Sequence, residues 1–94
     1  MEQQQQQRPV KEVLIKHKEQ QSVKELALLL EKIGQKLREE GQFTFIQGEE
    51  QVLVQPGEQL KVEYEYTKKG DKHSFEIEFD WYTGESARKP MGIK

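Results

Sequence analysis

Residues 60–82 read LKVEYEYTKKGDKHSFEIEFDWY, and the strict alternation on either side of Gly70-Asp71 decides the fold. Leu60, Val62, Tyr64 and Tyr66 alternate with Lys61, Glu63 and Glu65. After the break, Phe75, Ile77, Phe79 and Trp81 alternate with Glu76, Glu78 and Asp80. Successive side chains of a strand point to opposite faces, so each half is a strand with one apolar and one charged side. A two-residue loop with glycine first suits a type II′ hairpin turn. That turn sets Tyr66 opposite Phe75, Tyr64 opposite Ile77, Val62 opposite Phe79 and Leu60 opposite Trp81. The other face then pairs Glu65 with Glu76, Glu63 with Glu78, and Lys61 with Asp80. A slip of one residue would set apolar against charged side chains throughout, so the register is well specified.

Upstream, Phe43 and Phe45 alternate around Thr44, and Val52 and Val54 around Leu53, with Gly48-Glu49 between them. The same glycine-first loop predicts a second hairpin, Phe45 opposite Val52 and Phe43 opposite Val54. Pro56-Gly57 reads as a type II turn. Turning there would set Val54 opposite Leu60 and Val52 opposite Val62, joining the two hairpins into one meander.

Before the hairpins the period is that of a helix. Leu26, Leu29, Leu30, Ile33 and Leu37 recur at helical spacing and form an apolar stripe. Ser22 is placed as the N-cap, with Glu25 three residues later completing a capping box. Gly41 is placed to end the helix in the left-handed conformation. Val10 to Lys18, centred on Val13-Leu14-Ile15, reads as a first strand. Residues 1–8 hold five consecutive glutamines and read as a disordered tail. Residues 84–94 lose the alternation and read as a flexible tail made basic by Arg88, Lys89 and Lys94. The expected architecture is a single α+β domain over 9–83, in the order β-α-β-β-β-β, with one amphipathic helix packed on an antiparallel meander sheet.

Composition narrows the function classes. The chain has 94 residues, 33% hydrophobic and 34% charged, with 15 basic against 17 acidic residues and a net charge of −2. Such a balance raises no strong basic field, so binding of nucleic acid through phosphate neutralisation has little support. The absence of cysteine removes disulfides, thiolate chemistry and cysteine-based zinc sites. The longest apolar run, Leu26 to Leu30, is far short of a membrane span. With a polar N-terminal stretch and no apolar leader, a cytoplasmic protein is expected.

Leu60 to Tyr66, then Gly70, then Phe75 to Trp81 resemble the amphi-Trp domain of bacteria and archaea, which is named for amphipathic strands ending near a tryptophan. The helix ending at Gly41 and the short strands flanking Gly48 fit the same layout. The resemblance spans roughly residues 10 to 83. It implies this α+β arrangement, and it brings no activity, substrate or partner with it.

The acidic face is the unusual feature. Like charges directly opposite one another are mildly destabilising. A solvated outer face explains Glu63, Glu65, Glu76, Glu78 and Asp80 most simply, because exposed charges cost little in water. A sharper reading makes them, with Tyr82 beside them by alternation, an interaction face that steers a basic partner. Calcium needs six to eight oxygens around it, and an open sheet face offers carboxylates from one side only. Opposed carboxylates about 5 Å apart resemble a retaining glycosidase pair, but that chemistry also needs a pocket to raise one pKa, and the sequence predicts no cleft. Trp81 reads as a core anchor, and Tyr64 and Tyr66 as core residues with hydroxyls at the rim. His17 and His73 lack partners at ligand spacing. Lys68, Lys69 and Lys72 read as a solvated loop.

No catalytic, cofactor-binding or metal-binding residue is therefore assigned. The expected function is a small non-catalytic accessory domain that binds a protein partner or forms a homo-oligomer. The alternatives are a metal-dependent or carboxylate-based small enzyme, and a nucleic-acid-associated protein using the turn lysines and tail.

Overall fold

The computed structural model describes residues 9–84. The glutamine-rich tail and, beyond Gly84, the basic tail lie outside the described residues. The described chain is α+β: one helix followed by four strands in two antiparallel hairpins.

Helix α1, Val23–Glu40, begins and ends on the signals expected of it. The backbone N–H of Glu25 donates to Ser22 Oγ at 3.1 Å, and the Ser22 N–H donates back to Glu25 Oε1 at 3.2 Å. This reciprocal pair satisfies two amides that the first turn leaves without helical partners. At the other end Gly41 takes φ 71°, and its N–H donates to the Leu37 carbonyl at 3.0 Å. That single bond closes the last turn, and glycine adopts the left-handed conformation there without a Cβ penalty.

Strands β1 (Phe43–Gln47) and β2 (Glu50–Val54) pair with Phe45 opposite Val52 and Phe43 opposite Val54. Strands β3 (Lys61–Lys69) and β4 (Lys72–Asp80) pair from Lys61–Asp80 at the base to Lys69–Lys72 at the tip. Both hairpins have the expected register. Gly48 and Gly70 have φ of 59° and 60°, while among the described residues no non-glycine residue has positive φ. A positive φ followed by a negative one matches type II′ and excludes type I′, which needs both positive.

Three expectations fail, all concerning how the elements meet. The two hairpins do not join: β2 and β3 belong to separate two-stranded sheets, so Val54–Leu60 and Val52–Val62 are not pairs. Residues 55–60 bend at Glu58-Gln59 instead of closing a tight turn. A Cβ on Gly57 would stand 3.7 Å from Trp81 Cβ, so this link lies against the base of the second hairpin. Pro56 also has no N–H to give to a ladder.

Val10 to Lys18 is not a strand. Residues 11–16 instead border one cleft together with β2, with Ile15 half-buried and Val13 and Leu14 exposed. Three consecutive apolar residues send side chains to both faces of a strand. Of these three, Ile15 alone gains partial cover here.

Nor does the helix cover the meander. It approaches β1 and no other strand. Its lower half, Ile33 and Leu37, is half-buried with Phe43 and Phe45. Leu26, Leu29 and Leu30 remain 46%, 42% and 50% exposed. Among the described residues none is buried. Also among the described residues, no helix is long and apolar enough to cross a membrane.

Candidate functional site

The second hairpin presents two contrasting faces, both set by its register. On one face Glu63 lies opposite Glu78, Glu65 opposite Glu76, and Lys61 opposite Asp80. All five carboxylates come together as expected, and the crowding has an electrostatic effect. Asp80, two residues along the same strand, pushes the Glu78 carboxyl above its ordinary pKa. Lost hydration, a hydrogen bond with Asp80, and the charges of Glu63 and Glu76 add to the rise. Each neighbouring negative charge makes ionisation of the next carboxyl harder. Tyr82 lies beyond the end of β4, so strand alternation does not place it on this face, although it is exposed.

The opposite face holds the aromatic and aliphatic residues, and here the structure corrects the expectation of a core. Tyr64, Tyr66, Phe75 and Ile77 are 68%, 67%, 63% and 51% exposed. Among the described residues, their ring contacts run along the hairpin itself. The Tyr66 and Phe75 rings meet edge to face with centroids 6.3 Å apart. Tyr66 also stacks on His73, with centroids 5.9 Å apart and the phenol oxygen 2.7 Å from Nδ1. By ligand spacing along the chain His73 has no partner. The register contained the signal, because His73 is diagonal to Tyr66 once Phe75 is opposite it, and diagonal neighbours are within reach of aromatic side chains.

Trp81 stands at the base of this face, stacked on Phe79 with centroids 6.0 Å apart. It is half-buried against the Gly57 link. It anchors the hairpin to the link more than it fills a core. His17 contacts Glu19, two residues away, in the segment before the helix.

The sequence predicts no cleft, and the structure has one. An open depression of about 690 Å³ lies between residues 11–16, β2 and Trp81. None of Glu63, Glu65, Glu76, Glu78 or Asp80 lines it. These carboxylates and this depression are thus in different places. Among the described residues, no group of three or more His, Asp or Glu side chains is placed to hold a metal ion.

Paired amphipathic strands, with a tryptophan closing the apolar face, agree with comparison by family. The Amphi-Trp domain model matches residues 8–94. The chain belongs to the Amphi-Trp domain family. The matched span extends past residue 83, where the likeness visible in the strands ends, and takes in the C-terminal stretch. No curated protein and no solved structure matches the chain.

Proposed function

We propose that this Amphi-Trp domain is a non-catalytic accessory module that works by docking to protein, with the β3–β4 hairpin as the docking element. The apolar face of that hairpin carries the reading. Four large side chains lie side by side there, each more than half exposed. Single exposed apolar residues are ordinary, but a contiguous apolar patch on a protein surface marks an interaction site. Aromatic residues supply much of the binding energy at such sites, because they cover area with few rotatable bonds. A rigid hairpin also presents them already in register, which lowers the ordering cost of binding.

The acidic face has a second part in this reading. The raised pKa of Glu78 is the observation that favours it, since crowded carboxylates are relieved when a cation approaches. The face would then steer encounter with a basic surface, while the apolar face holds the complex.

Capture from native lysate separates these roles. The full chain, tethered at low density, is compared with Tyr64→Ser and with the double charge reversal Glu63→Lys, Glu76→Lys. Loss of recovered protein with Tyr64→Ser, and a weaker, salt-sensitive loss with the charge reversal, is expected. Equal recovery by all three chains would rule out the hairpin as the docking element.

A further inference from the structure

The docking reading leaves the occupant open, and two bare surfaces on the same chain fit each other. The first is the β3–β4 apolar face. The second is the N-terminal half of the α1 stripe, where Leu26, Leu29 and Leu30 stay about half exposed. We propose that the occupant is a second copy of this chain, and that α1 of each protomer lies across the apolar face of the other's β3–β4 hairpin. This rests on the docking reading and specifies its partner.

Three observations support it. A single chain of the described residues buries no side chain completely. A folded chain must offset conformational entropy by removing apolar surface from water, and small domains short of core usually borrow it from a partner. The chain has no cysteine, so disulfides cannot take that role. A second copy supplies the missing layer.

The surfaces also agree in size. The helix has 18 residues and at 1.5 Å per residue is about 27 Å long. Each hairpin strand has 9 residues and at about 3.3 Å per residue spans roughly 30 Å. Ile33 and Leu37 are taken up against β1, so the free half from Val23 to Leu30, about 12 Å long, covers the bare patch of Tyr64, Tyr66, Phe75 and Ile77, which takes up about 7 Å along the strands. In chemistry they match as well, since the stripe is aliphatic and the sheet face is mainly aromatic and aliphatic, with the Tyr66 hydroxyl already paired to His73 Nδ1 at 2.7 Å.

Area gives the third support. An aromatic side chain buries about 150–250 Å². Tyr64, Tyr66 and Phe75 are each about two-thirds exposed, which leaves roughly 400 Å² to cover. The helix surface laid on them loses a similar area, so one contact buries about 800 Å² and two related by a two-fold axis about 1,600 Å², the size of a standard specific interface. Two-fold symmetry makes the contact reciprocal and closed, so each protomer's stripe and face are both satisfied and no further copy is recruited.

The arrangement is tested on the full-length chain by sedimentation equilibrium and by disulfide trapping, which the lack of native cysteine makes clean. The expected mass is twice the 11.1 kDa of the chain. Chains carrying Leu26→Cys, mixed with chains carrying Ile77→Cys and oxidised, should cross-link to one another far more than Leu26→Cys chains do to themselves. Leu26→Glu should weaken association at least tenfold with the β3–β4 register intact by NMR, which separates lost docking from lost folding. A monomer at all concentrations, with trapping only when both cysteines are on one chain, overturns the inference in favour of a helix folded onto its own hairpin. A dimer that traps Ile77→Cys chains only to one another overturns the helix-on-hairpin arrangement. Either result leaves the lysate experiment to judge the docking reading on its own.

Discussion

Ile77 sits in the middle of the apolar face, opposite Tyr64, and half of it is exposed. Replacing it with serine perturbs docking and folding by different amounts, and the difference can be worked out. Full burial of an isoleucine side chain is worth about 1.5–3 kcal/mol. The hairpin already covers about half of Ile77, so about 1 kcal/mol is gained only when something lies over the face. A two-fold dimer contains the site twice, and about 2 kcal/mol corresponds to a dissociation constant roughly thirty-fold weaker. The matching loss within the isolated hairpin is also about 1 kcal/mol, visible as a small fall in melting temperature. Sedimentation velocity over a dilution series measures the first quantity, and thermal melts at the highest dilution measure the second. An unchanged dissociation constant with a lowered melting temperature would refute the reasoning, because Ile77 would then matter only to its own hairpin.

Ser22→Ala removes one half of the capping box and should cost about 1 kcal/mol of helix stability, read as lost ellipticity at 222 nm on mild warming. Gly70→Ala forces a side chain into φ 60° and should destabilise the second hairpin by about 1–2 kcal/mol, whereas the same change at Gly34, inside the helix with nothing within 4 Å of its Cβ position, should stabilise by about 1 kcal/mol. Glu78 has a folded-state pKa raised above its unfolded one, so its favourable contribution is present at low pH and is lost as pH rises through the folded value. Glu78→Gln should therefore melt higher than the parent at neutral pH and equally below the carboxylate range; a difference that persists at pH 3 would contradict the carboxylate crowding.

Local order was legible from residue types, and long-range packing was not. Alternation around Gly70 specified every partner in β3–β4, because the turn geometry and the two-residue period leave one register that keeps both faces consistent. The helix ends were equally legible, since Ser22, Glu25 and Gly41 satisfy backbone groups by local chemistry. What each apolar face meets is a different kind of question. Periodicity shows that Leu26 and Tyr64 lie on apolar faces, but it does not say whether those faces touch each other, a third element or another chain. Pro56-Gly57 looked like a turn joining the hairpins, and the packing of Trp81 against that link decides otherwise. The candidate site divides in the same way. The acidic cluster followed from register alone, whereas the bare aromatic face and the cleft depend on which elements fail to meet.

Docking requires that the apolar face of β3–β4 be covered. Hydroxyl-radical footprinting of the full-length chain reads the solvent reactivity of Tyr64, Tyr66 and Phe75 directly, with exposed Tyr82 as the internal reference. All three should become protected together as concentration rises through the dissociation constant, while Tyr82 stays reactive. Unchanged full reactivity of the three from nanomolar to the highest soluble concentration, and in lysate as well, would contradict it.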